Sequence, residues 1–230
     1  MFLGRKKELG LLQDLWLLDK SSLVICRGRR RIGKSRLIKE FAKSAKHSFL
    51  FQGLPPRKDQ CDIDQLNHFY QKLREWNPAL PNSATNLSWP QALTDLAKSI
   101  GTKKKVLILL DEISWIAQHC PDFAGHLKNA WDDHFSTKSN LIFVVCGSVS
   151  TWIELNILSS TGFVGRVSLT LNLDELSLSE SFQLLPGSND FEKIRSLCLT
   201  GGVPKYIEEF SGKQSLRENT QRLFFSKGGV

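Results

Sequence analysis

The sequence has no CxxC pair and no apolar run near the roughly 18 residues a membrane-spanning helix needs. Nor does its amino end, MFLGRKKELG, follow a secretory leader pattern. These absences argue against a disulfide framework, a membrane span and export, so no membrane partner is expected and the expected location is the cytoplasm. Cys26 and Cys146 fall in apolar runs, and Cys61, Cys120 and Cys198 are scattered. His119-Cys120 is the only adjacent His/Cys pair; without further ligands at metal spacing it reads as ordinary surface or core. There is no internal repeat and no low-complexity tract. Acidic residues are the scarcer charge, 23 against 31 Lys+Arg, giving a net charge of +8. That surplus invites a nucleic-acid reading, which its distribution weakens. Arg29, Arg30 and Arg31 sit together in one loop, and Lys103-Lys104-Lys105 precede a strand as a solvated run does.

What is present is globular. The 230 residues, 41% hydrophobic and 23% charged, suffice for one good-sized domain, or a domain with a small appendage, around a substantial core. The most informative stretch runs from Ser22 to Glu40, SLVICRGRRRIGKSRLIKE. Leu23 to Cys26 has the length and composition of a buried parallel strand, and Leu37, Ile38 and Phe41 follow helical spacing. Between them Gly28-Arg29-Arg30-Arg31-Ile32-Gly33-Lys34-Ser35 fits GxxxxGK[ST]. Glycines let such a loop curl its N–H groups inward onto phosphate oxygens, and the following helix adds the positive end of its dipole. Lys34 can reach the β- and γ-phosphates of a nucleotide, and the Ser35 hydroxyl can ligate Mg²⁺.

Strands and helices alternate along the chain. Leu9, Leu12, Leu15 and Trp16 predict an amphipathic helix before the phosphate loop, and His47 to Gln52 a second strand. A helix follows with Leu66, Phe69, Tyr70, Leu73 and Trp76 on one face, then a loop over Asn77 to Ser88. Trp89 to Ile100 is helical, with Gly101 as its stop. Val106 to Leu110 is an aliphatic run ending in Asp111-Glu112. An aspartate at such a strand tip can hold the water shell of Mg²⁺, and a glutamate beside it can deprotonate an attacking water. After a helix over Pro121 to Phe135, Leu141 to Cys146 forms another buried strand ending at Gly147-Ser148. Ser148 either lies beside a γ-phosphate or caps the helix bearing Trp152, Ile153 and Leu155. Arg166 stands at the entrance to an alternating strand of Val167, Leu169 and Leu171. Helical segments then begin near Ser177, Asp190, Pro204 and Gln214, with a bend at Gly201-Gly202-Val203-Pro204. This alternation implies a parallel sheet covered on both faces, with the nucleotide at its carboxyl edge.

Taken together, FLGRKKEL, ICRGRRRIGKSRLI, VLILLDEIS, VVCGSVS, Gly165-Arg166 and LTGGVPKYIEEF resemble the archaeal-type ATPases. These are P-loop proteins of the AAA+ and signal-transduction (STAND) ATPase assemblage, related to the origin-recognition initiators. The resemblance spans Phe2 to about Phe210, with the motifs in the expected order. It implies an α/β, three-layer P-loop NTPase sandwich: a parallel sheet in the order 5-1-4-3-2 over 1–173, then a small helical lid over 174–230. It implies ATP or ADP as ligand, with Gly4 and Arg5 near the adenine and Gly28 to Ser35 around the phosphates. Arg36, next after that loop, is expected to bind the nucleotide as well, and Pro204 approaches the base or sugar. Mg²⁺ would sit at Ser35 and Asp111, Glu112 would activate water, and Ser148 would take the γ-phosphate sensor position. Arg166 resembles the arginine that completes a neighbouring subunit's site, which implies self-association; a structural salt bridge is its other reading.

The sequence departs from the family in two ways. Initiator-like members carry a sensor arginine where Gly201 to Pro204 stand, and Lys205 is only a weak substitute. Family members also usually continue into a winged helix and an output domain. Three functions therefore follow as expectations. The first is an ATPase acting as a conformational switch. The second is a nucleotide-dependent DNA-binding module with little turnover, its DNA contact lying in an absent or separate output domain. The third, a small P-loop kinase, is disfavoured by Glu112.

Overall fold

A computed structural model describes residues 2–57, 61–80, 87–102, 104–148, 150–186 and 189–226. Strands β1 (Ser22–Arg27), β2 (His47–Gln52), β3 (Val106–Asp111), β4 (Leu141–Gly147) and β5 (Val167–Asn172) pair in parallel throughout, in the order β2-β3-β4-β1-β5. This is the expected 5-1-4-3-2 read from the other edge. β3 and β4 lie inside the sheet, and every residue in them is buried. A strand covered on both faces has no solvent side to mark with polar residues, so VLILL and LIFVVC read as unbroken apolar runs. β2 and β5 are the edges, where burial is partial.

The pleat divides each interior strand between two layers. Leu23, Ile25, Ile108, Leu110, Phe143 and Val145 share one core with α3 (Asp62–Trp76), α4 (Trp89–Ser99) and α6 (Phe123–Ala130). Aromatic rings fill it: Trp89 meets Phe123 edge-on at 4.9 Å and Phe69 at 5.5 Å. Val24, Cys26, Leu107, Leu109, Ile142 and Val144 form the other core, with α1 (Lys6–Leu17) and α2 (Lys34–Ala42). Two short helices leave strand tips: α5 (Ile113–Ile116) after β3 and α7 (Ser150–Ile153) after β4.

Beyond β5 lie α8 (Leu178–Leu184), α9 (Asp190–Thr200), α10 (Pro204–Glu208) and α11 (Leu216–Thr220), the first three gathered on a small apolar cluster of Leu176, Leu185 and Ile207. The bend before α10 is built from Gly201 and Gly202, at φ 59° and 71°, conformations that L-residues rarely adopt. A side chain on Gly202 would press on the Leu176 carbonyl, and the Leu176 N–H donates to the Gly202 carbonyl at 2.9 Å, fastening the bend to the strand-to-lid linker.

The helix expected to stop at Gly101 does so: α4 runs to Ser99, and its cap Ile100 is already extended (φ −80°, ψ 112°). Leu155 does not face the core but is 66% exposed. The chain passes from α7 into a π-turn over Glu154–Leu158; Ile153 and Ile157, four apart, turn inward together, and Leu155, midway between them, faces out. Of the loop expected over Asn77 to Ser88, residues 81–86 lie outside the described residues, as does Lys103 of the basic run. Among the described residues no helix is long and apolar enough to cross a membrane.

Candidate functional site

The carboxyl edge of the sheet gathers the polar residues that the apolar strands carry to their tips. β1 runs into the loop Gly28 to Gly33, and α2 begins at Lys34. Gly28 takes φ 151°, and a Cβ there would sit 2.4 Å from the Leu173 carbonyl oxygen, so the loop needs glycine to leave the sheet. Gly33 (φ 95°) and Arg31 (φ 69°) complete the curl. Lys34 is only 5% exposed, and its ammonium donates to the carbonyls of Gly28 and Arg29, both at 2.9 Å. The buried charge is thus satisfied by its own loop, a pairing that phosphate oxygens can replace.

Asp111 ends β3 and is 1% exposed. Its Oδ1 accepts from the Glu112 N–H at 3.0 Å, and its Oδ2 is buried without a hydrogen-bond partner. A buried carboxylate oxygen without a donor is costly, which is the condition a bound cation relieves. Ser35, in the first turn of α2, lines a cleft that Glu112, the residue after Asp111, also lines. This oxygen-only pair suits Mg²⁺. Neighbouring Cys146 and Cys26 are register partners on β4 and β1, both fully buried. The Cys26 thiol first, then burial, and Asp111 through both its charge and a hydrogen bond, push the Cys146 thiol well above its ordinary range, which keeps it protonated.

Glu112 adopts the left-handed conformation (φ 52°, ψ 49°), rare for a residue with a side chain, and so leaves the strand direction at the start of α5. Its Oε2 accepts from the Ser148 hydroxyl at 2.9 Å. Of the two readings of Ser148, a cap or a group beside the γ-phosphate, this bond puts the hydroxyl on the glutamate at the tips of β3 and β4. Lys34, Ser35, Glu112 and Ser148 share a cleft of about 380 Å³ with Arg30, Arg31, Gly33, Arg36 and, from the lid, Pro204, Lys205 and Glu208.

Beside it lies an apolar slot of only about 20 Å³ lined by Phe2, Leu3, Arg5, Ile32, Leu176 and Leu184, and also by Gly33, Arg36, Pro204 and Glu208. Arg5 is buried, with its guanidinium donating to the carbonyls of Ile32 (3.2 Å) and Asp174 (2.5 Å), so its charge fastens the amino-terminal segment to the loop and the linker. Gly4 lines a separate groove beside Lys6, Lys7 and Glu180; Phe2 and Leu3 are the amino-terminal residues of the slot besides Arg5.

Several contacts bridge the loop to the lid and its linker, and sequence reading found none of them. Arg36 pairs with Glu208, the Arg31 guanidinium lies over the Tyr206 ring at 5.4 Å, and Arg29 pairs with Glu175 at 3.1 Å. The i, i+4 spacing of Pro204 and Glu208 was the available signal, since it puts both on one side of a helix.

Arg166 is placed elsewhere. It precedes β5, and Val167 pairs with Leu23 near the start of β1, whereas the phosphate loop leaves the far end of that strand. The length of β1, roughly 16–20 Å at about 3.3 Å per residue, separates Arg166 from its own chain's cleft. It makes a two-pronged pair with Asp132, Nε to Oδ1 at 2.6 Å and Nη2 to Oδ2 at 2.8 Å. Arg166 first, and Lys128 with it, hold the Asp132 carboxyl down to about 2. A carboxylate depressed on folding contributes stability that is present above its unfolded pKa, about 4, and is lost as pH falls through about 2. Between pH 4 and 2 the wild-type melting temperature should therefore fall faster than that of Asp132→Asn, by about 1–2 °C for a half-exposed pair. Parallel curves would show that the pair carries no stability.

His119 and Cys120 make no such constellation. His119 Nε2 is buried without a hydrogen-bond partner, and burial pushes the Cys120 thiol up to about 11. Among the described residues, no group of three or more His, Cys, Asp or Glu could hold a metal ion.

Comparison with known proteins bears on the family and the fold. Residues 2–210 match the model of an ATPase domain predominantly from Archaea. An uncharacterized protein of Methanocaldococcus jannaschii is 20% identical over 209 residues, which are 91% of this chain and 44% of that protein. The chain thus spans less than half the length of that relative. An uncharacterized ATP-binding protein of the same organism is 48% identical over 46 residues, 20% of this chain and 78% of that one. Among solved structures, the Walker-type ATPase PABY2304 of Pyrococcus abyssi has a TM-score of 0.65 at 16% identity, covering 96% of this chain and 72% of its own. The ORC2 protein of Aeropyrum pernix, in ADPNP–ADP complexes, has a TM-score of 0.62 at 13% identity, covering 89% and 60%. Cdc6p of Pyrobaculum aerophilum has a TM-score of 0.61 at 13% identity, covering 89% and 59%. At these identities the structures share the fold.

Proposed function

The chain belongs to the family of ATPase domains found predominantly in Archaea, and from that premise we propose that it binds and hydrolyses ATP between core and lid, as a conformational switch. The observation that carries this reading is the convergence of Lys34, Ser35, Glu112 and Ser148 with lid residues Pro204 and Lys205 on one cleft, beside a buried Asp111 oxygen that lacks a partner. In this reading residues 1–173 form the core and 174–230 the lid.

The phosphates lie along the loop Gly28 to Ser35. Lys34 exchanges its two loop carbonyls for β- and γ-phosphate oxygens, with the backbone N–H groups of the loop and the start of α2 beside it. Ser35 and Asp111 would hold Mg²⁺, which when bound neutralises charge building on the β- and γ-oxygens. Glu112 takes a proton from water, the water oxygen bonds to the γ-phosphorus, and the bond from that phosphorus to the bridging oxygen breaks to leave ADP and phosphate. Ser148, which donates to Glu112, would also meet a γ-phosphate oxygen in this reading, so loss of that phosphate alters what holds Glu112 and, through Lys205 and Pro204, the lid.

Arg166, at the amino edge of the sheet, suits a role in a neighbouring copy's site. Self-association is therefore part of the proposal, and the isolated chain should turn over slowly. Five free cysteines, two of them buried, suit a reducing cytoplasm. A direct DNA-binding role draws on the +8 charge, but of the arginines near the phosphate loop Arg29 and Arg36 are ion-paired and Arg31 is stacked, which takes them from a basic face. Phosphate release by the purified chain tests the reading. Release should rise steadily with ATP and Mg²⁺ and stop when a chelator removes the metal. Undiminished release with chelator would overturn the metal role, and no release in either condition would overturn hydrolysis.

A further inference from the structure

The apolar slot and the polar cleft meet at four residues common to both: Gly33, Arg36, Pro204 and Glu208. If ATP occupies the site as proposed, its base belongs in the slot of Phe2, Leu3, Ile32, Leu176 and Leu184, and its phosphates in the cleft of Lys34. The junction between them then falls to the sugar. Its two charged residues face each other across it, Arg36 from the first turn of α2 and Glu208 from the last turn of α10, joined as an ion pair. At about 20 Å³ the slot has room for about one water, so a base enters only if core and lid separate there. Opening parts Arg36 from Glu208 and leaves a carboxylate, an acceptor of two hydrogen bonds, at the height of the sugar. Ribose hydroxyls are the donors a nucleotide presents at that point; the base edge and the phosphates lie to either side.

We propose that Glu208 is a specificity-determining residue that accepts hydrogen bonds from the ribose hydroxyls and so selects ribonucleotides over 2′-deoxyribonucleotides. This rests on the nucleotide reading of the site and deepens it. A carboxylate left facing a sugar without its 2′-hydroxyl loses a charge-assisted hydrogen bond, and the discrimination reads as a ratio of affinities independent of hydrolysis. Arg31 over Tyr206 and Arg29 with Glu175 tie loop to lid without reaching the junction, so the latch survives in part when Glu208 is changed.

The test is equilibrium binding of ATP and 2′-deoxy-ATP to the full chain, by calorimetry without turnover at low temperature. Wild type should prefer ATP by about tenfold, the scale of one hydrogen bond to a charged group. Glu208→Ala should bind both equally, and Glu208→Gln, which keeps a carbonyl acceptor, should keep part of the preference. Equal affinities in wild type, or a preference undiminished in Glu208→Ala, would overturn the assignment while leaving the nucleotide reading intact. Failure of wild type to bind either nucleotide would instead remove that reading, and this inference with it.

Discussion

Replacing Glu112 by glutamine should leave ATP affinity within about twofold of wild type and lower turnover by about 10²–10⁴-fold, the range for loss of a positioned general base. The two effects separate because the substitution removes basicity but little geometry. Glu112 owes its position to a left-handed backbone at the tip of β3 and to the Ser148 hydroxyl, which donates to Oε2 at 2.9 Å. A glutamine carbonyl accepts the same bond, so the side chain stays at the cleft while losing its ability to take a proton. Binding of a fluorescent ATP analogue and single-turnover phosphate release measure the two quantities. Turnover at the wild-type rate would assign the base elsewhere.

Lys34→Ala should show the complementary result, with nucleotide affinity lowered at least about 100-fold while the fold persists. The Lys34 ammonium is the buried positive charge of the cleft, directed across the loop at 2.9 Å to two carbonyls. A hydrogen bond between charged partners is worth roughly twice a neutral one, and the ammonium meets β- and γ-phosphates together. Removing it leaves the Gly28 and Arg29 carbonyls to be hydrated from the cleft, so the melting temperature should change by no more than a few degrees. Displacement titration with ATP and ADP, with a melting curve as control, gives the answer. Affinity within threefold of wild type would show that this loop is not where phosphates bind.

These variants probe what the primary sequence exposed most clearly, and the reason is local. GxxxxGK[ST] is a contiguous turn whose glycine positions follow from backbone geometry: Gly28 runs against the Leu173 carbonyl, and Gly33 holds φ 95°. β3 and β4 are uniformly apolar because both faces are covered, so their tips, Asp111-Glu112 and Gly147-Ser148, could be read as the ends of buried strands. The parallel sheet followed from the same alternation.

Other features were not legible because they depend on partners distant in the chain. Arg36 and Glu208 are 172 positions apart, and Arg166 and Asp132 are 34 apart; no window of helical or strand periodicity includes both members.

The sequence by itself determined which segments must be buried and which loop curls for phosphate, because these follow from side-chain polarity and backbone freedom within a few residues. Only the tertiary structure decided that Ser148 holds Glu112, that Arg5 is a structural tie, that Arg166 lies at the opposite edge from its own cleft, and that Glu208 faces Arg36. Those facts come from how strands and helices pack in space, and a hydrogen bond between distant segments leaves no periodic trace in either one.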